Sequence, residues 1–184
     1  MNQRSYLFSR APHWLDHGYG AQKQLPASLQ SWLNETGSLT QRLRHEHNNQ
    51  FRVEVLLHNW AHGFADETAL LKQAQQRYQL VREVMLYASH QPVILARTVI
   101  PPATLAFANR QLSRLGTRPL GEVIFAYPDL KIQRRQFSKI DEKELALLTH
   151  FGTTKVWGRR SLYEIAGHPL LVAEFFLAAC YQSL

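Results

Sequence analysis

Two strand–turn–strand patterns constrain this chain more than any other feature. Residues 78–88 are rich in Val, Leu, Met and Tyr, Ser89-His90-Gln91 makes a short turn, and residues 93–100 return as a second apolar strand. Residues 159–166, a turn at Gly167-His168 and residues 169–177 repeat the arrangement. Strands joined by so short a turn run antiparallel. Phe51, Val53 and Val55 alternate with Arg52 and Glu54, which predicts a half-buried strand. Residues 122–127 and 131–140 read as two further strands.

The remaining segments are helical or irregular. Residues 26–47 read as a helix in two pieces, with Leu29, Trp32 and Leu33 at helical spacing. Ser38 stands three residues before Gln41, a capping box that restarts the helix after Gly37. Pro101-Pro102 opens a short helix over 103–115, and Gly116 ends it. Residues 141–149 read as another short helix. The polar stretch 58–68, which contains Gly63, reads as a loop or sheet edge, and Pro119-Leu120-Gly121 as a turn. The sum is an α+β fold, an antiparallel β-sheet with flanking helices. A length of 184 residues suits one domain over 1–184.

A net charge of +7 admits nucleic acid, a membrane surface or a small anionic ligand as partner. The basic residues form no long tract: 131–139 and 155–160 are the densest stretches, and aromatics do not interleave with them as a base-stacking platform requires. Arg159-Arg160 reads as part of a solvated face. His58 and His62 lack acidic or cysteine companions, so they read as surface histidines rather than metal ligands. Cys180 is the single cysteine, which excludes an internal disulfide and a cysteine-rich zinc site. The first ten residues lack the apolar core of a signal peptide, and no apolar run is long enough to span a bilayer. The expectation is a cytoplasmic protein without a membrane span.

Two charged residues break the apolar pattern. One face of the strand from Leu80 carries Leu80, Arg82, Val84 and Leu86; one face of the last strand carries Leu170, Val172, Glu174 and Phe176. Burying either charge alone costs several kcal/mol, roughly. Pattern alone leaves two readings equally open. Arg82 and Glu174 pair with each other or with local charges, Glu83 and Arg97 among the candidates; or they line a cavity with a cation at one end and a carboxyl group at the other.

Four motifs in register resemble the bacterial chorismate pyruvate-lyases. They are Val81-Arg82-Glu83-Val84 with Ala96-Arg97-Thr98-Val99-Ile100-Pro101, then Leu115-Gly116-Thr117-Arg118-Pro119-Leu120-Gly121, then Val156-Trp157-Gly158-Arg159-Arg160-Ser161, and then Gly167-His168-Pro169 through Glu174 to Leu177. The match covers residues 78–177. It implies a chorismate lyase-like fold, with an internal ligand site under flap segments. It also implies conversion of chorismate to 4-hydroxybenzoate and pyruvate, the entry step of ubiquinone synthesis, without metal or organic cofactor. The family's ligand-binding arginine falls on Arg82, its glycine-flanked leucine with a backbone contact on Leu120, and its carboxylate on Glu174. Leu39 stands where the family places a ligand-contacting methionine. Arg97, a second cation in the hairpin, is expected to meet the enolpyruvyl carboxylate or to guide entry. Glu174 either takes the ring proton or only orients the ring hydroxyl.

These expectations describe a monomer that binds chorismate and its product, with no nucleic-acid partner. The alternative is a binding module for aromatic carboxylates, related to the effector-sensing domains of transcription regulators. Such domains are normally attached to a DNA-binding domain. The 77 residues before the matched region hold no helix-turn-helix pattern.

Overall fold

The two hairpins form the middle of a seven-stranded sheet. A computed structural model describes residues 5–16, 25, 27–47, 50–108, 111–146 and 155–181 of the chain. The strands are β1 (Leu15–Asp16), β2 (Phe51–His62), β3 (Tyr78–Ala88), β4 (Gln91–Ile100), β5 (Leu130–Asp141), β6 (Lys155–Ile165) and β7 (His168–Phe176). Their order is β1-β5-β6-β7-β4-β3-β2, and each neighbouring pair is antiparallel. The hairpins β3–β4 and β6–β7 therefore lie side by side, joined by β4 against β7.

The helices are α1 (Ala27–Leu33), α2 (Leu39–Glu46), α3 (Ala65–Leu70), α4 (Pro102–Phe107), α5 (Leu120–Ile124) and α6 (Ala178–Tyr181). On one face of the sheet, Leu29, Trp32 and Leu33 of α1 and Leu39 and Leu43 of α2 pack with Val84, Leu86, Ala96 and Phe176. On the same face, Leu105 of α4 and Leu120, Val123 and Ile124 of α5 pack with Leu80, Ile100, Tyr163, Leu170 and Val172. The other face meets Leu7 and Phe8 of the N-terminal segment and Phe64 before α3, packed on Met85, Leu95 and Phe175.

Several expectations are borne out. The strand over residues 78–88 has the predicted bounds. Residues 26–47 hold two helices, with Ser38 capping the second by accepting from Gln41 N–H; Pro26 lies outside the described residues. Gly116 has a positive φ, +52°, but it lies in a turn beyond the 3-10 turn Gln111–Ser113 and closes no helix.

Others are corrected. The strand expected over 122–127 is helix α5: Leu120, Val123 and Ile124 recur at helical spacing and all three are buried. A short apolar run does not distinguish the two forms; tertiary packing does. Of the stretch 58–68, expected as a loop or sheet edge, the first part is sheet edge, because β2 continues to His62 by pairing along the whole of β3; helix α3 stands where a loop was the other expectation. As the last strand in the sheet order, β2 tolerates polar residues. The helix expected over 103–115 divides into α4 and a 3-10 turn over Gln111–Ser113. That expected over 141–149 is a 3-10 turn over Glu142–Glu144 capped by Asp141; residues 147–149 lie outside the described residues.

Candidate active site

The helix-bearing face of the sheet has two apolar clusters, and the seam between them is polar. Along β3, Leu80 belongs to one cluster and Val84 and Leu86 to the other, with Arg82 between. Along β7, Val172 belongs to one and Phe176 to the other, with Glu174 between. Strand alternation places these side chains on one face, so the seam is a direct product of the sequence pattern. A cavity enclosing about 570 Å³ of empty space, its mouth included, opens there, lined by Arg82, Glu174, Leu39, Leu120, Thr98 and Tyr163 among others.

Arg82 is 2 % exposed. Its Nη2 donates to the carbonyls of Gly116 (3.0 Å) and Arg118 (3.2 Å), in the segment leading to α5. Its buried Nε meets no partner among the described residues, and none of their carboxylates pairs with it. Burial pushes the guanidinium down to about 10. That value still keeps it cationic at neutral pH. A buried cation held only by carbonyls is poised for an anion.

Glu174 does not pair with Arg82. Directly across the β6–β7 hairpin stands Arg159, whose Nε donates to Glu174 Oε2 at 2.6 Å. Arg159 is 1 % exposed, and its Nη1 also donates to the carbonyls of Trp32, Leu33 and Glu35 at and beyond the end of α1. Arg159 thus fixes one oxygen of the cavity carboxylate and ties it to the helical cover. The expectation of a solvated face at Arg159-Arg160 is overturned. Arg160 is 4 % exposed and its guanidinium is held by Asp66 and Gln136 on the opposite face.

The cavity is closed where α2 meets α5. Gly121 comes so near Ser38 that an added Cβ would stand 2.9 Å from its Oγ, so glycine permits the contact. Arg44 of α2 also pairs with Glu122 of α5 at 2.6 Å. These contacts bring Leu39 and Leu120 together over the site. Leu120 begins α5 after Pro119, so its N–H belongs to the first helical turn, which lacks intrahelical acceptors.

Four of the five expected site residues, Arg82, Glu174, Leu39 and Leu120, line this cavity. Arg97 does not. It alternates with Ala96 and Thr98 and so faces the other side of the sheet. There it donates to both oxygens of Glu67 (2.7 and 2.9 Å) and to Glu83 (2.7 Å). Glu83 also accepts from Ser5 Oγ and from the N–H groups of Tyr6 and Leu7, anchoring the N-terminal segment. Arg97 is therefore buried in a structural ion cluster.

The histidines also differ from expectation. His58 and His62 are half-buried on β2, and His62 packs on Tyr78 at 4.1 Å between ring centroids. His58 is register partner to Arg82; burial, then the Arg82 charge, lowers its pKa. Among the described residues no three of His, Cys, Asp and Glu gather as a metal site. No described helix is long and apolar enough to cross a membrane.

The sequence pattern of chorismate lyases matches residues 14–183. The chain belongs to the chorismate lyase family. It is 44 % identical over 154 residues to the probable chorismate pyruvate-lyase of Methylococcus capsulatus, spanning 82 % of this chain and 95 % of that one. Against the probable chorismate pyruvate-lyase of Thiobacillus denitrificans it is 37 % identical over 171 residues, 90 % of this chain and 89 % of that one. The α+β fold is shared with the effector domain of PhnF from Mycobacterium smegmatis, with a TM-score of 0.56 at 15 % identity over 78 % of this chain and 90 % of that one. At that identity the likeness speaks for fold alone.

Proposed function

We propose that this chorismate lyase family protein converts chorismate to 4-hydroxybenzoate and pyruvate as one domain, a cytoplasmic monomer serving the entry step of ubiquinone synthesis. The observation that carries the reaction is a buried Arg82, without a carboxylate partner among the described residues, facing an ion-paired Glu174 across one apolar cavity. By strand spacing and rise their Cα atoms stand about 12 Å apart, room for one six-membered ring between the side chains.

Arg82 holds the ring carboxylate through the N–H groups that its two carbonyl contacts leave open, Nε among them. The Leu120 amide adds a neutral donor, and Leu39 covers the ring. Glu174, with one oxygen on Arg159, turns the other to the ring hydroxyl. The bond from the ring to the enolpyruvyl oxygen then breaks. The hydrogen on the hydroxyl-bearing carbon leaves as a proton, its electron pair completes the aromatic ring, and the proton ends on the enolpyruvyl methylene to give pyruvate. Atoms and electrons balance without an outside oxidant or reductant, so the reading assigns no cofactor. Because the substrate carries its own proton acceptor, Glu174 serves to orient the hydroxyl. The enzyme's contribution is positioning and electrostatic support.

Purified protein given chorismate and a chelator is expected to release 4-hydroxybenzoate and pyruvate one to one. Folded protein that releases neither would sink the lyase reading and favour a binding module.

A further inference from the structure

Chorismate carries two carboxylates, and Arg82 accounts for one. With Arg97 on the far face, a second cation must come from elsewhere if the dianion is recognised as such. Arg159 is committed to Glu174 and three carbonyls. Arg118 is 59 % exposed at its side chain and stands near Glu122.

A single transverse row crosses the cavity face of the sheet. Its Cα partners are Arg135 on β5, Ser161 on β6, Val172 on β7, Thr98 on β4 and Arg82 on β3. Val172 and Thr98 form cavity floor. This stretch of the row has an arginine at each side, and beyond Arg82 it continues to His58 on β2. Four strand spacings separate the two arginines, about 19 Å between Cα atoms. Arg135 reaches inward along the row, since its Nε donates to Ser161 Oγ at 3.2 Å. Its Nη1 lies 3.5 Å from the carbonyl of Asn34, just beyond α1. Its Nη2 is shielded from water and meets no hydrogen-bond partner among the described residues.

We infer that Arg135 is the second anion anchor of this site and binds the enolpyruvyl carboxylate. This rests on the lyase reading above and names the group that tells the dianionic substrate from its monoanionic product. Arg135 lies outside the present lining of the cavity, but it acts electrostatically on Tyr163 and Glu174, which belong to that lining. Burial, and then the neighbouring Arg159, lowers the Arg135 pKa, so an arriving carboxylate relieves a strained cation. After the bond breaks, pyruvate departs with the Arg135 contact and the product keeps only the Arg82 contact.

The test uses two ligands that differ in one carboxylate: 3-(carboxymethoxy)-4-hydroxybenzoate and 3-ethoxy-4-hydroxybenzoate. The wild type is expected to prefer the dicarboxylate at least tenfold. Arg135→Gln is expected to abolish that preference while holding the ethoxy ligand within twofold of wild type, which also shows that the fold survives. Arg135→Lys is expected to recover part of it. A wild type without preference, a preference that survives in Arg135→Gln, or equal weakening of both ligands overturns the proposal. A wild type that fails to turn over chorismate defeats the lyase reading instead, and the binding preference still decides the role of Arg135.

Discussion

Glu174→Ala is expected to lower kcat/KM for chorismate by about 10²–10⁴-fold, the usual range for losing a positioned acid–base or orienting group. The chain should stay folded. Arg159 would lose its carboxylate but keep three carbonyl acceptors, which limits the penalty of an unpaired buried cation. Glu174→Gln separates the two possible roles. An amide oxygen still accepts from the ring hydroxyl but cannot carry away a proton. If Glu174 orients the ring, as proposed, Gln restores at least tenfold over Ala. A Gln variant as slow as Ala would make Glu174 the proton acceptor. An Ala variant within tenfold of wild type would remove Glu174 from the chemistry.

The largest stability effect is expected at Arg97. Its guanidinium bridges Glu67 and Glu83, with side chains 1 %, 6 % and 0 % exposed. Arg97→Ala leaves two buried carboxylates without their shared cation. Breaking such a pair costs about 3–5 kcal/mol, which lowers Tm by roughly 6–20 °C in a chain of this size. Thermal unfolding measures it. Where the variant is still folded, kcat/KM should stay within threefold of wild type, because Arg97 faces away from the cavity. A Tm near the wild-type value would refute the structural role, and a large activity loss in folded protein would return Arg97 to the site.

The contrast between Arg97 and Arg159 shows how far the sequence alone reaches. Apolar alternation located β3, β4 and β7 and put Arg82 and Glu174 on the cavity face. Glu83 and Arg97, expected only as possible partners for Arg82 or Glu174, are instead register partners and pair with each other. Arg159 escaped notice because of a turn. With the turn read at Gly167-His168, Glu174 falls opposite Ser161. The actual turn is Ala166-Gly167, both at positive φ (47° and 84°), so His168 pairs with Ile165 and Glu174 with Arg159. Alanine rarely adopts that conformation, so nothing in Ala-Gly advertises a two-residue turn as Asn-Gly would. Arg159-Arg160 reads as a solvated face because adjacent arginines usually are one, and their acidic and carbonyl partners lie far away in sequence. Helix α5 was hidden for a different reason: five residues are too few to show a period, and burial against the sheet decided their form. The alternation that excludes Arg97 from the cavity was present in the sequence, since Arg97 and Thr98 necessarily face opposite sides.

If Arg82 is a buried cation open to a ligand carboxylate, calorimetric titration of 4-hydroxybenzoate into wild type and Arg82→Met will show it. The wild type should bind one ligand per chain. Arg82→Met should weaken binding about 30-fold or more, as expected when one partner of a buried charge pair is truncated. Its Tm without ligand should equal or exceed that of wild type, because methionine fills the site without a desolvated charge. Unchanged affinity in a folded Arg82→Met variant would mean that Arg82 does not hold the ligand carboxylate.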